Sequence, residues 1–147
     1  LQKQVVDAGL QKQIIFTTKH HDLIRQWKNR VPESLTLIWN GGTETELEKR
    51  LAAIRAQDFE GITHLQIHVK VIGDPADAEP FVPSIAFLEK VRDELKDRGI
   101  VFQVLPWENA DPAVYQRLLE LGVESFATDY PQVTVDAVRE FKSLQEQ

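Results

Sequence analysis

The residues best placed to do chemistry stand on one short stretch, where His64, Gln66, His68 and Lys70 alternate with Leu65, Ile67, Val69 and Val71. Two histidines four residues apart can share a metal ion when they lie on one face of a helix. Here the alternation and the β-branched neighbours indicate a strand, and four steps of about 3.3 Å hold the two rings roughly 13 Å apart. The pair is therefore not expected to chelate, and no metal ligand is assigned to the chain. His68 and Lys70, toward the C-terminal end of the strand, are candidate substrate-binding residues able to meet a phosphate. The competing reading is a polar sheet face whose residues hydrogen-bond one another.

Trp107 is the third candidate substrate-binding residue: it closes another strand and either walls a binding face or packs beside Pro106. Trp39 ends a strand too, and the following Asn40-Gly41-Gly42 could turn N–H groups toward an anion ahead of a capped helix, although a plain tight turn is the simpler reading. Glu108 and Asp129 lie at strand ends where an acid, a base or a positioning partner would stand; a helix-cap or turn role suits them better. No catalytic residue is assigned. Glu44, Glu46 and Glu48 read as a solvated helix start that suits the helix dipole.

These side chains need a scaffold, and its clearest part runs from Gly99 to Pro131. Val101 to Leu105 is a short apolar strand, Asp111-Pro112 supplies an N-cap and a first-turn proline, and Val114, Leu118, Leu119 and Leu121 form a helical stripe that Gly122 ends. Val123 to Thr128 is the next strand. Strand, helix and strand in succession make a right-handed crossover between parallel neighbours. Upstream the same unit recurs, with strands expected at Gln13–Thr18, Leu35–Trp39 and Gly61–Val71. Gln2 to Leu10 reads as a helix tail with Val5, Val6 and Leu10 on one side, and His21 to Arg30 as a helix carrying Leu23, Ile24 and Trp27. Thr43 and Glu46 form a capping-box pattern opening a helix to about Gln57, with Leu47, Leu51, Ala53 and Ile54 inward. Asp74 to Pro83 is an irregular loop, and Ser84 to Arg98 a helix with Ile85, Leu88, Val91 and Leu95 inward. Val133 to Leu144 closes the chain with Val135, Val138 and Phe141 on one face.

With 147 residues, of which 42% are hydrophobic, the chain is the size of one domain. Its net charge of −6, without a basic run, argues against a nucleic-acid or anionic-membrane surface. The absence of cysteine excludes disulfides, thiol catalysis and cysteine zinc sites but leaves the compartment open between cytoplasm and a secreted or periplasmic location. No apolar run approaches the roughly 18 residues of a membrane span. Leu1 stands where an initiator Met is usual, so an upstream segment is expected. Strict βα repetition allows an open doubly wound sheet or part of a (β/α)₈ barrel, and length favours the first because a whole barrel takes about 250 residues. The one-sided polarity of Gly61 to Val71 favours the second. Central strands of an open sheet are apolar on both faces, whereas a barrel strand turns polar groups to the lumen and apolar groups to the helices.

The residues Trp107…Asp111-Pro112…Leu121-Gly122-Val123…Thr128-Asp129-Tyr130-Pro131 resemble the end of a glycerophosphodiester phosphodiesterase barrel, where a Trp-bearing strand, a helix and a Gly-Val…Thr-Asp-x-Pro strand end are usual. Gln13 to Leu23, QIIFTTKHHDL, is similar to that family's fourth strand and following helix, with Thr17-Thr18 where Ser-Phe is usual. The resemblance implies an α/β fold, the C-terminal five βα units of a TIM (β/α)₈ barrel with parallel strands in sequential order. Residues 1–147 would then form a partial domain whose N-terminal strands lie outside the chain. It also implies the chemistry of lipid metabolism: a hydrolase that uses a divalent metal, Mg or Ca, to convert a glycerophosphodiester into an alcohol and glycerol 3-phosphate. In that family two catalytic histidines and the metal-holding carboxylates sit on strands one to three, and an aromatic at the position of Trp107 forms an apolar wall. His-Arg-Gly does not occur here; His21-Asp22 follows the wrong strand, and Glu94-Leu95-Lys96 falls in a helix.

The chain alone is accordingly expected to be inactive, with a phosphodiester substrate and a metal belonging to the intact parent. It is expected to pair with the missing N-terminal half, or to self-associate through its end strands and the lumen residues Gln66, His68 and Gln103. The alternative is a non-catalytic βα-repeat module that self-associates or binds a small ligand.

Overall fold

The computed structural model describes residues 1–146. Its frame is the parallel sheet of β1 (Ile15–Thr18), β2 (Leu35–Asn40), β3 (His64–Val71), β5 (Val101–Pro106) and β6 (Ser125–Phe126), in that spatial order. β4 (Phe81–Val82) lies off this path and pairs antiparallel with the end of β3. The helices are α1 (Gln2–Asp7), α2 (His21–Arg30), α3 (Glu44–Arg55), α4 (Ile85–Asp97), α5 (Pro112–Glu120) and α6 (Pro131–Gln145). Strands in sequential order, each followed by a helix, are the partial TIM-barrel arrangement expected; an open sheet with the first strand in its middle is excluded.

The faces of the sheet follow the alternation in the sequence. Leu65, Ile67 and Val69 of β3 are fully buried toward the helices, with Phe102 and Val104 of β5 beside them. They join Leu47, Leu51, Leu88, Val91, Leu95, Val114 and Leu118 in one core, each such side chain contributing about 1.5–3 kcal/mol by leaving water. On the other face Gln66 is buried while His64 and His68 are half-buried and Lys70 exposed. Ile15 and Leu35 on the same face stay 51% and 40% exposed, as befits a lumen with one wall.

Several boundaries and faces differ from expectation, each for a local reason. The first strand begins at Ile15 because Gln11–Gln13 closes a 3-10 turn, and the third begins at His64 because Gly61 turns the chain at φ 78°. The last strand keeps only Ser125–Phe126. There the Val123 N–H donates back to the Leu118 carbonyl, closing α5, while Glu124 and Ala127 bond Phe102 and Val104 at the margins of the ladder. The expected loop from Asp74 to Pro83 contains β4, which the Ile72 N–H bond to Pro80 holds in place. α1 stops at Asp7, so Val6 and Leu10 are exposed, and Ala53 on α3 is exposed as well. α6 buries Thr134 and Ala137 and leaves Val135 43% exposed, a face rotated by one residue from the expected one. No helix among the described residues is long and apolar enough to cross a membrane.

Candidate functional site

The C-terminal ends of β1, β2, β3 and β5 frame a cleft of about 960 Å³. Its wall is a stack of rings from three adjacent strands. The Trp39 and His68 rings lie 5.4 Å apart and within 5° of parallel, and His68 and Trp107 lie 5.7 Å apart at 39°. Register explains the meeting: Trp39 is paired with Gln66 and His68 with Leu105, so all three rings rise from the lumen face. The Trp107 N–H donates 2.9 Å to the Val69 carbonyl, carrying the β3–β5 ladder one residue past the strand and fixing where the indole starts. Gly41 makes room on the other side. A Cβ there would stand 3.0 Å from His68 Nδ1, a contact tight enough to make the ring shift by a few tenths of an ångström.

Around the rings stand Lys19, Arg50 and Lys70. The Lys19 Nζ lies 5.9 Å from the Trp39 ring centre, within cation–π range. Arg50 donates through Nη1 to the Gly41 carbonyl. Glu46, a carboxylate on the lining, is already engaged: it accepts from Thr43 N at 2.8 Å and Thr43 Oγ1 at 3.0 Å, while the Glu46 N–H donates back to Thr43 Oγ1 at 3.3 Å. These hydrogen bonds, the Thr43 N–H foremost, hold its carboxyl below the usual range. The capping box thus fills the N-terminus of α3 with the helix's own anion, and Asn40-Gly41-Gly42 is the tight turn rather than an open anion cradle. Gly42, at φ 123°, has Glu46 Oε2 where a Cβ would stand.

Burial pushes the His68 imidazole below its ordinary pKa, so it faces the cleft as a neutral ring at pH 7. His64 is lowered too, first by burial. Its Nδ1 lies 2.8 Å from Thr63 Oγ1 at the opposite end of β3, where it takes no part in the cleft. Among the described residues no three His, Cys, Asp or Glu gather as metal ligands do. Three cations, and a lone carboxylate already engaged by Thr43, do not fit a divalent ion.

His68, Lys70 and Trp107 all line the cleft, and Trp39 joins them. Glu108 takes a turn conformation at φ 49°, and the N-caps of α5 and α6 are Asp111 and Tyr130, so neither Glu108 nor Asp129 is a cap. Glu44 accepts from the Ser84 N–H, and Glu48 bonds Arg55 and Lys90, so the acidic start of α3 is partnered rather than merely solvated. Sequence reasoning misses Lys19 and Arg50, and reads Asn40 only as part of the turn after Trp39. Lys19 had a usable signal, directly after a strand end; Arg50 on a helix surface had none.

No protein-family model matches the sequence, and no curated protein matches it. Solved structures do match in fold. A structure from Silicibacter pomeroyi DSS-3 assigned as a glycerophosphoryl diester phosphodiesterase shares 16% identity at a TM-score of 0.64, over 95% of this chain and 42% of that one. A glycerophosphoryl diester phosphodiesterase from Parabacteroides distasonis ATCC 8503 shares 15% at 0.61, over 95% and 46%. A structure from Galdieria sulphuraria, assigned as a glycerophosphodiester phosphodiesterase, shares 14% at 0.63, over 90% and 46%. The chain therefore spans less than half the length of these structures, and the likeness at such identities is one of fold.

Proposed function

We propose that the chain is one wall of a glycerophosphodiester phosphodiesterase barrel, supplying binding surface to a phosphodiester substrate whose bond is broken by groups on strands outside the chain. The observation that supports this most is the make-up of the cleft. The strand ends where barrel enzymes place their sites carry stacked rings and cations, which suit an organic phosphate.

Trp39, His68 and Trp107 offer flat surface to the carbon skeleton of the substrate, and exclude water from that side. Lys70 and Lys19 face its phosphate. At an effective dielectric of about 20, a charge pair 4 Å apart gains about 4 kcal/mol before desolvation, enough for two lysines to orient one phosphodiester. His68, kept neutral by burial, adds a polar edge without a third nearby charge. The divalent ion of such hydrolases would be held by carboxylates beyond this chain, and when bound would polarise the phosphate oxygens.

The test is glycerol 3-phosphate release from glycerophosphocholine with Mg²⁺ or Ca²⁺, by this chain alone and by the protein read from the coding sequence upstream of Leu1. Turnover by the longer protein alone, with a raised KM in Trp107→Ala, is the expected result. Turnover by this chain that substitutions within it abolish would show that its own residues do the chemistry. No turnover by either would favour a non-catalytic module.

A further inference from the structure

We infer that the groove between α2 and α3, which adjoins the aromatic cleft and shares Lys19, His20, Asn40 and Arg50 with it, binds a small oxyanion such as a phosphate or sulfate group. The groove has a volume of about 410 Å³, with Ile38 and Asn40 of β2 on its lining. Asn40 is the decisive residue. It pairs with Ile67 on the helix-facing side of the sheet and is 2% exposed, yet its Nδ2 has no hydrogen-bond partner among the described residues. A buried amide donor left unpaired is costly and uncommon. An aliphatic residue like Ile38 or Ile67, its neighbours on that side, would pack there without the cost. The donor is retained at the upper end of a groove that opens to solvent.

What surrounds Asn40 is also made of donors. Lys19 and Arg50 line the groove, and their positive charge complements an anion. The N-terminus of α2 lies on the lining as well. Its cap residue, His20, places no side-chain hydrogen bond on the first turn; the Leu23 N–H donates to the His20 carbonyl, which leaves the His21 and Asp22 N–H groups and the helix dipole at the groove's edge without an internal acceptor. Asp22 is a carboxylate on the lining, and Arg25 is held by Glu60 at 2.5 Å, which leaves two cations against one acid. An amide, an ammonium, a guanidinium and helix N–H groups have hydrogens to give, and a tetrahedral oxyanion has oxygens to receive them.

The test is a titration of the chain with inorganic phosphate at constant ionic strength, read by thermal unfolding and by calorimetry. Saturable binding is expected, with a melting temperature that rises as phosphate is added beyond a chloride control. Asn40→Leu is expected to melt higher than wild type without phosphate and to bind phosphate at least tenfold more weakly. Arg50→Gln decides the matter if Asn40→Leu does not fold: it too is expected to weaken binding tenfold. Lys70→Gln removes the cation that lines the cleft and not the groove, and is expected to leave phosphate binding unchanged, whatever becomes of the phosphodiesterase reading. No rise beyond chloride, or wild-type binding in both groove variants, or loss of binding in Lys70→Gln, would overturn the inference.

Discussion

Replacing Tyr115 by Phe removes one oxygen, and the structure says what that oxygen holds. Tyr115 is fully buried. Its hydroxyl donates 2.9 Å to the Asn109 carbonyl and lies 2.8 Å from Thr128 Oγ1, so it binds the loop after Trp107 to the end of β6. If the Tyr115 proton goes to Asn109, Thr128 donates to Tyr115 and accepts from Tyr130 N at 2.9 Å and Thr134 Oγ1 at 2.9 Å. Thr128 therefore keeps partners in Tyr115→Phe, whereas Asn109 loses its own. Two hydrogen bonds, each worth about 0.5–1.5 kcal/mol net, with one acceptor able to reach water, give an expected loss of about 1–2 kcal/mol. An unfolding entropy of about 2.1 cal/mol/K per residue makes that a fall in Tm of roughly 3–6 °C for a chain of 147 residues. Thermal and urea unfolding followed by circular dichroism measure it. The ring's edge-on contact with Phe126, at 5.3 Å, survives the change, so the difference reports the hydroxyl. A Tyr115→Phe variant as stable as wild type would refute the assignment of the Thr128 cluster as the tie between these two strand ends.

Glu94 takes the Arg55 fork in two directions, Nε at 2.8 Å and Nη2 at 2.7 Å, and Glu48 takes Nη1 at 2.7 Å. With the Arg55 and Glu94 side chains 25% and 22% exposed, Glu94→Gln is expected to cost about 1–2 kcal/mol in urea unfolding, between surface and buried pairs. An Arg55→Met, Glu94→Leu double variant is expected to lie closer to wild type, and additivity of the two would contradict the pairing. Stability is also expected to fall with pH in two stages. His64 and His68 have folded pKa values lowered below 6.5, so the unfolded chain takes up protons first: stability drops as pH falls below about 6.5 and levels off beneath the folded values. His68→Phe should shrink that stage. Glu94, held low chiefly by its Arg55 hydrogen bond, contributes to a second loss below its ordinary 4.5, and Glu94→Gln should shrink only that one; titrating stability in each variant separates the two.

The scaffold was legible in the sequence wherever a pattern spans a whole element. The alternation in β3, the capping box of α3 and Asp111-Pro112 before α5 all stand where expected, because each is a local rule with a local cause. Two-residue elements escape such rules: Phe81–Val82 is a strand only because Lys70 and Val71 lie opposite it. The buried face of α6 escaped for a different reason. Hydrophobicity favours Val135, but Thr134 goes inside because Thr128 gives its hydroxyl a partner, a contact no helical period contains. That His68, Lys70 and Trp107 stand toward the C-terminal ends of strands was legible; that His68 stacks between Trp39 and Trp107 needs the register of three strands. Asn40 was legible only as part of a turn; that its buried amide lacks a partner is a property of its surroundings.

The proposed function treats the sheet as one wall of a barrel, and among the described residues its lumen face and end strands β1 and β6 are open. Exposed strand edges invite pairing, and Ile15 and Leu35 on the open face are each only half covered. Sedimentation equilibrium of the purified chain at micromolar concentration tests this most directly. The expected result is a reversible, concentration-dependent dimer or larger species. A chain that stays a cooperatively unfolding monomer across that range would contradict the account.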